Sequence, residues 1–251
     1  SLTQYTTSGL LNSDAVSGVT LSSTGSSALA AVGTYTITAA SATGTGLGNY
    51  IITYTNGTLT VNPAALTITA SNASKTYGTT ASLTQYNASG LLNSDAVSGV
   101  TLSSTGSPTT ANVGTYNIVP SGATGTGLGN YTITYTNGTL TVSPAALSIT
   151  ASNASKTYGS VASLTQYTTS GLLNSDAVSG VTLSSTGSLA TAAVGAYAIT
   201  AASATGTGLS NYTISYSNGT LTVDKANLII TANNANKTYG SALINETGST
   251  A

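Results

Sequence analysis

The chain has 251 residues, of which 40% are hydrophobic and only 4% are charged, with a net charge of −1. It has no His, no Cys and five acidic residues, so the usual catalytic bases, nucleophiles and metal ligands are scarce, and we expect neither an enzyme nor a cofactor-binding protein. No basic patch is available to neutralise phosphates, and no apolar run approaches the roughly 18 residues of a spanning helix, so we expect no nucleic-acid partner and no membrane span in this segment.

An internal repeat dominates the sequence. The string Ser-Leu-Thr-Gln-Tyr begins at Ser1, Ser82 and Ser163, which lie 81 residues apart. The same spacing separates the three copies of Lys-Thr-Tyr-Gly and the three copies of Asn-Gly-Thr-Leu-Thr-Val. This period is longer than that of a solenoid and suits a small domain, so the sequence predicts tandem modules. Because the chain starts at a serine without a leader, we expect it to be part of a longer protein.

Within one repeat, apolar and polar residues alternate with the period of strands that bury one face. Residues 8–18 lack this alternation and are predicted to form a loop or one helical turn. Val19 and Leu21 indicate a short strand, and residues 35–39 and 50–54 indicate two more, each with apolar side chains at every second position. The sequence therefore predicts an all-β fold.

An Asn-Gly pair follows the strand at residues 50–54. This dipeptide tolerates the positive φ of a type I′ turn, so Asn56-Gly57 predicts a β-hairpin between the strand at Tyr54 and the strand at Leu59. The same hairpin is predicted at the two equivalent pairs, Asn137-Gly138 and Asn218-Gly219.

Proline marks the predicted boundaries between modules. Pro63 and Pro144 end one strand pattern, and a new alternation starts just after each of them, as at Leu66, Ile68 and Ala70. We therefore divide the chain into a module that lacks its first strand (1–64), two complete modules (65–145 and 146–226), and the first strand and turn of a further module (227–251).

Each complete module carries one lysine and one main acid, Lys75 with Asp95 and Lys156 with Asp176. We expect a salt bridge or two solvated charges. The alternative is an intramolecular isopeptide crosslink, which needs a third acid that these modules lack and which intact mass would detect as a lost water or ammonia. Calcium sites need clustered carboxylates. The module boundaries at Pro63 and Pro144 have none, so no metal site is predicted.

All fifteen tyrosines fall at five equivalent positions of the repeat, among them Tyr77 and Tyr158 in the Lys-Thr-Tyr-Gly motif. Because Phe and Trp are absent, tyrosine must supply the aromatic burial, and each hydroxyl is predicted to reach a backbone group or water. Stacking on a ligand is the alternative for these rings.

Four motifs recur in order: Lys-Thr-Tyr-Gly, Ser-Gly-Leu-Leu-Asn-Ser-Asp, Val-Gly-Thr-Tyr-Thr-Ile-Thr and Asn-Tyr-Ile-Ile-Thr-Tyr-Thr-Asn-Gly-Thr-Leu-Thr-Val. Together they resemble the MBG repeat of the YGX type, found in tandem in very large bacterial surface and secreted proteins, including filamentous-haemagglutinin-like adhesins. One departure is serine before the aspartate, at Ser13, Ser94 and Ser175, where that family often has glycine. The resemblance implies small extracellular modules, for which we favour an immunoglobulin-like β-sandwich, with a β-grasp arrangement as the alternative.

The leading functional hypothesis is a structural stalk or filament-building segment of a bacterial surface adhesin, whose partners are further copies of the repeat. The last strand pattern, residues 228–232, could complete the first module of another copy by strand addition. The alternative is a multivalent module that binds host or matrix glycans or proteins, with affinity raised by the three copies. The Asn-X-Ser/Thr triplets, for example at Asn130, are candidate glycosylation positions.

Overall fold

The computed structural model describes residues 2–242, and within them the chain is built of β-strands. The first repeat contains β1 (Ala15–Ser22), β2 (Gly33–Thr45) and β3 (Gly57–Val61). The second contains β4 (Ala64–Ala70), β5 (Ala73–Thr76), β6 (Tyr86–Ser89), β7 (Ala96–Ser103), β8 (Gly114–Thr126), β9 (Tyr131–Thr136) and β10 (Gly138–Ser143). The third contains β11 (Ala145–Ala151), β12 (Ala154–Thr157), β13 (Tyr167–Ser170), β14 (Ala177–Ser184), β15 (Gly195–Thr207), β16 (Tyr212–Ser217) and β17 (Gly219–Asp224). Helical elements of residues 2–242 are short 3₁₀ turns, such as Leu128–Asn130, so the all-β prediction is confirmed.

The described residues group into two compact units. The first contains the residues up to Ala146 together with two loops of the third repeat, Gly171–Ala177 and Gly208–Thr213. The second contains Leu147–Ser170, Val178–Thr207 and the described residues from Ile214.

The second repeat forms two sheets, with strand orders β6-β4-β9 and β5-β10-β8-β7. Strands β4 and β5 follow each other in the chain but enter different sheets, where β4 pairs in parallel with β9 and β5 pairs in parallel with β10. The other ladders are antiparallel. The third repeat has the same orders, β13-β11-β16 and β12-β17-β15-β14, so each of these repeats is a small β-sandwich.

The core lies between the two sheets and depends on the first strand of the repeat. In β4 the side chains of Leu66, Ile68 and Ala70 are 1%, 0% and 2% exposed, which confirms the predicted alternation. Leu66 and Ile68 contact residues of β7 such as Val97, whereas Ala70 contacts Leu140 and its neighbours. Burying each large aliphatic side chain stabilises the module by about 1.5–3 kcal/mol, so the first strand supplies much of its stability.

The Asn-Gly hairpins predicted at Asn56-Gly57, Asn137-Gly138 and Asn218-Gly219 are wrong. Strands β9 and β10 flank Asn137-Gly138 but belong to different sheets. The glycine instead allows a close crossing of two backbones, because a Cβ on Gly138 would lie 2.5 Å from the carbonyl oxygen of Ala70. A Cβ on Gly219 would lie 2.6 Å from the oxygen of Ala151 in the same way. Strand β9 pairs in parallel with β4 and not with β10, so the chain passes from one sheet to the other where a hairpin was predicted.

The segment predicted as a loop or helical turn, residues 8–18, contains a tight turn followed by β1. The amide of Asp14 donates to the carbonyl of Leu11 at 2.9 Å, and Asn12 and Ser13 have φ values of 50° and 64°. The third and second repeats have the same turn, with φ of 64° at both Ser94 and Ser175. Glycine adopts this left-handed backbone most readily, so Ser13, Ser94 and Ser175 occupy a position that favours glycine.

Candidate functional site: the contact between successive repeats

Asp176 joins tyrosines from two repeats. It follows the left-handed turn of the loop Gly171–Ala177, and its Oδ2 accepts a hydrogen bond of 2.8 Å from Tyr212 of its own repeat. The same oxygen accepts a bond of 2.8 Å from the hydroxyl of Tyr77, in the Lys-Thr-Tyr-Gly motif of the preceding repeat. The rings of Tyr77 and Tyr212 meet edge to face, with centroids 5.5 Å apart. Both rings are buried, so they exclude water from this carboxylate contact.

Asparagine side chains make a second set of contacts at this junction. Asn211 is 4% exposed; its Oδ1 accepts from the backbone amide of Val113 at 2.9 Å, and its Nδ2 donates to Oδ1 of Asn112 at 3.0 Å. Asn174 Nδ2 donates to the carbonyl of Thr109 at 2.8 Å. Two loops of the third repeat thus hold the end of the second repeat by several directional bonds.

The first and second repeats meet through the same positions, 81 residues earlier. Asn130 Oδ1 accepts from the amide of Val32 at 3.0 Å, and Asn93 Nδ2 donates to the carbonyl of Ala28 at 2.9 Å. Ala31 takes the place of Asn112, so the amide-to-amide bond is specific to the later junction. The contact is therefore a property of the repeat.

The lysines of the complete modules are buried and bind carbonyl groups. Lys75 is 8% exposed, and its Nζ donates to the carbonyls of Thr79 at 2.9 Å, Ser107 at 3.3 Å and Pro108. Burial lowers the pKa of Lys75. Its expected partner, Asp95, accepts instead from the hydroxyl of Tyr131 at 2.9 Å. The expected salt bridge or pair of solvated charges is therefore replaced by a buried ammonium group held by carbonyls.

Lys156 repeats this arrangement in the third repeat, where its Nζ donates to the carbonyls of Ser160 at 2.9 Å and Leu189. The corresponding acid, Asp176, is occupied by the two tyrosines described above. Intact mass is the measurement that tests the isopeptide alternative in both modules.

Several tyrosine hydroxyls bind backbone groups, as predicted, whereas the carboxylate partners of Tyr77, Tyr131 and Tyr212 were not predicted. Tyr116 donates to the carbonyl of Asn112 at 2.8 Å, Tyr131 accepts from the amide of Leu92 at 2.8 Å, and Tyr135 accepts from the amide of Ala123 at 2.9 Å. These bonds anchor loops to strands within one repeat. The bond of Tyr77 to the next repeat is not apparent from its motif, and the sequence pattern around Asn130 predicts only a glycosylation position. The recurrence of asparagine at 49, 130 and 211 is the signal that could have identified the junction.

The pKa values of Tyr77 and Tyr212 at this junction are raised, which predicts a dependence of stability on pH. Burial raises the pKa of Tyr77 above 10.0, and the neighbouring Asp176 raises it further; burial and Asp176 also raise the pKa of Tyr212. A tyrosine with a raised folded-state pKa contributes stability that is complete below pH 10 and is lost as the pH rises through the folded-state pKa. We expect the free energy of unfolding to fall as the pH rises above 10.

Denaturant unfolding of the chain and of Tyr77→Phe, measured at each pH from neutral to alkaline, checks this expectation. Taking the difference between the two proteins cancels the opposite effect of Lys75, whose lowered pKa makes stability rise as the pH approaches 10.5. The difference in free energy of unfolding between the two proteins should become smaller above pH 10. A difference that stays constant across this range would contradict the role assigned to the Tyr77 hydroxyl.

Within residues 2–242, no three His, Cys, Asp or Glu side chains come together as a metal site. None of the helices in this range has the length and apolarity needed to cross a membrane.

Comparison with known protein families matches the three repeats separately. The family described as MBG domain (YGX type) matches residues 1–60, 66–141 and 147–222, which is most of the chain. A comparison with curated proteins finds no match. The chain belongs to the MBG domain (YGX type) family and consists of tandem copies of that domain.

Proposed function

We propose that the chain is a structural stalk or filament-building segment of a bacterial extracellular adhesin, in which docked repeats space or assemble a cell-surface fibre. The observation that carries this proposal is the recurrence of one contact at two junctions: Asn130 with Val32, and Asn211 with Val113. Because the asparagine contacts of Asn93 and Asn130 recur at Asn174 and Asn211, further repeats can dock through the same positions. The family match supports a surface location, since MBG repeats occur in surface proteins.

The short connections between repeats also favour a stiff segment. Strand β10 ends at Ser143 and β11 begins at Ala145, so Pro144 is the whole linker, and only Asn62 and Pro63 separate β3 from β4. Proline fixes φ, and linkers this short leave the chain little freedom to bend. Bending would also break the junction hydrogen bonds, each of which contributes about 0.5–1.5 kcal/mol. A stalk needs this resistance to bending in order to keep its length and to bear force.

Electron microscopy of shadowed single molecules tests the stalk. We expect extended particles in which each complete repeat adds about 30–40 Å of length. The double variant Asn130→Ala with Asn211→Ala should show a broader distribution of lengths, because both junctions lose amide contacts. Asn49→Ala is the matched control, since Asn49 occupies the same repeat position in the first repeat and is exposed. Compact particles, or a double variant indistinguishable from the control, would contradict the proposal.

A further inference from the structure

One parallel ladder joins the start of the second repeat to its end. It consists of the pairing of β4 with β9 and of β5 with β10, which lie in different sheets. Every pair in both parts has the same sequence separation of 67 residues: Ala64 with Tyr131 through Thr69 with Thr136, and Ala73 with Leu140 through Thr76 with Ser143. Residues 64–76 and 131–143 therefore form a single two-stranded unit, the parallel ribbon, which belongs to both sheets.

An asparagine side chain bridges the point where the ribbon passes from one sheet to the other. Between the two parts of the ladder, Asn72 Oδ1 accepts from the amide of Thr139 at 2.8 Å, again across 67 residues. In the third repeat Asn153 Oδ1 accepts from the amide of Thr220 at the same distance. The side chain thus replaces the backbone bond that the crossing interrupts.

Strand β5 is the edge strand of its sheet and has two further attachments. Beyond its last pair, the amide of Tyr77 donates to the carbonyl of Ser143 at 2.8 Å, which extends the ladder by one bond. From within β5, the buried ammonium group of Lys75 binds the carbonyls of Ser107 and Pro108. The edge strand is therefore fastened by its side chain as well as by its ladder.

Tension along a chain of tandem repeats acts on opposite ends of this ribbon. The chain enters the second repeat at Ala64, just after the linker, and leaves it at Ser143. Because the two strands run in parallel, the first residue of one strand and the last residue of the other lie at opposite ends of the ribbon. Pulling then slides the strands past each other and loads all the ladder bonds together, whereas pulling at a single end separates one pair at a time.

We propose that the parallel ribbon is the element that bears tension in each complete repeat, and that Asn72 and Asn153 fasten it where it changes sheets. The ribbon lets a repeat keep its fold under a pull directed along the chain. The inference rests on the proposed function, because it names the part of a stalk segment that carries the load.

Single-molecule pulling at constant force tests the ribbon, and the full chain has no cysteine, so an introduced pair serves as the two handles. Asn62→Cys with Ser143→Cys loads the ribbon from opposite ends, whereas Asn62→Cys with Thr132→Cys loads it from one end; all three side chains are exposed. At the same force, we expect unfolding to be at least about tenfold slower with the opposite-end handles, because several hydrogen bonds must break together. Equal rates, or faster unfolding from opposite ends, would overturn the inference.

Asn72→Ala tests the bond at the crossing. With the opposite-end handles it should unfold about 2–10-fold faster, because one of the bonds that break together is lost. With the one-end handles its rate should be unchanged, because the pairs next to Ala64 open first. Asn87→Ala is the matched control: Asn87 also begins an Asn-Ala-Ser triplet and is exposed, but it lies in β6, outside the ribbon, so neither rate should change. An Asn72→Ala chain that matched this control, or that unfolded faster in both directions alike, would overturn the role assigned to Asn72.

Microscopy of molecules that bear no load decides the stalk separately from the ribbon. Extended particles together with equal unfolding rates in the two directions would leave the stalk standing and remove the ribbon as its load-bearing element. Compact particles together with slow unfolding from opposite ends would remove the stalk and keep the ribbon as the mechanical element of the module.

Discussion

Replacing Tyr77 with alanine should destabilise the first compact unit by about 3–5 kcal/mol, the usual cost of truncating a buried aromatic side chain. Tyr77 is 4% exposed, contacts the ring of Tyr212 edge to face and donates to Asp176. The change removes all three contributions at once. Chemical denaturation followed by circular dichroism measures the loss, and the first transition should shift to lower denaturant.

The matched control is Tyr158→Ala, at the same position of the next Lys-Thr-Tyr-Gly motif. Tyr158 is 50% exposed, so its removal should change the free energy of unfolding by no more than about 0.5 kcal/mol. A double-mutant cycle of Tyr77→Phe with Asp176→Asn should give a coupling of about 1.5–3 kcal/mol, as expected for a hydrogen bond to a charged group. Equal effects of the two alanine variants would show that the inter-repeat contact contributes nothing.

Replacing Lys75 with methionine should cost its module about 2–4 kcal/mol. Methionine fills much of the lysine volume but cannot donate, so the carbonyls of Thr79, Ser107 and Pro108 lose their shared donor. An unsatisfied buried acceptor costs about 1–3 kcal/mol, and here some carbonyls can regain water by local movement. Thermal unfolding followed by circular dichroism measures the effect.

Lys225→Met is the control for this substitution, since Lys225 is exposed at the end of the third repeat. It makes the same change in charge and should leave the unfolding temperature nearly unaltered. Lys156→Met should behave like Lys75→Met, because Lys156 has the equivalent carbonyl partners. If the buried and exposed lysines gave equal shifts, net charge and not carbonyl binding would explain the result.

The strands and their buried faces were predictable because alternation is a local property. Leu66, Ile68 and Ala70 repeat every second residue, and only a strand places such residues on one face. The Asn-Gly prediction failed because it, too, used local sequence alone. Glycine at Gly138 is compatible with a positive φ and with a close backbone approach, and the dipeptide alone does not distinguish them.

The junction could not be predicted in the same way. Tyr77 and Asp176 are 99 residues apart, and nothing in either local motif says that the two meet. Asn211 looks like an ordinary polar loop residue until Val113 and Asn112 of the preceding repeat cover it. Opposite charges predict a pair of Lys75 with Asp95, but the fold places the carbonyls of Ser107 and Pro108 within hydrogen-bond distance of the lysine ammonium group.

The sequence by itself determined the number of repeats, the all-β character and the inward-facing side chains, because each of these follows from periodicity along the chain. The tertiary structure decided which strands pair, which acceptors the lysines reach and which repeat each junction tyrosine contacts. All three depend on distances between residues that are far apart in the chain. Those distances are set only when the module folds and β4 pairs in parallel with β9.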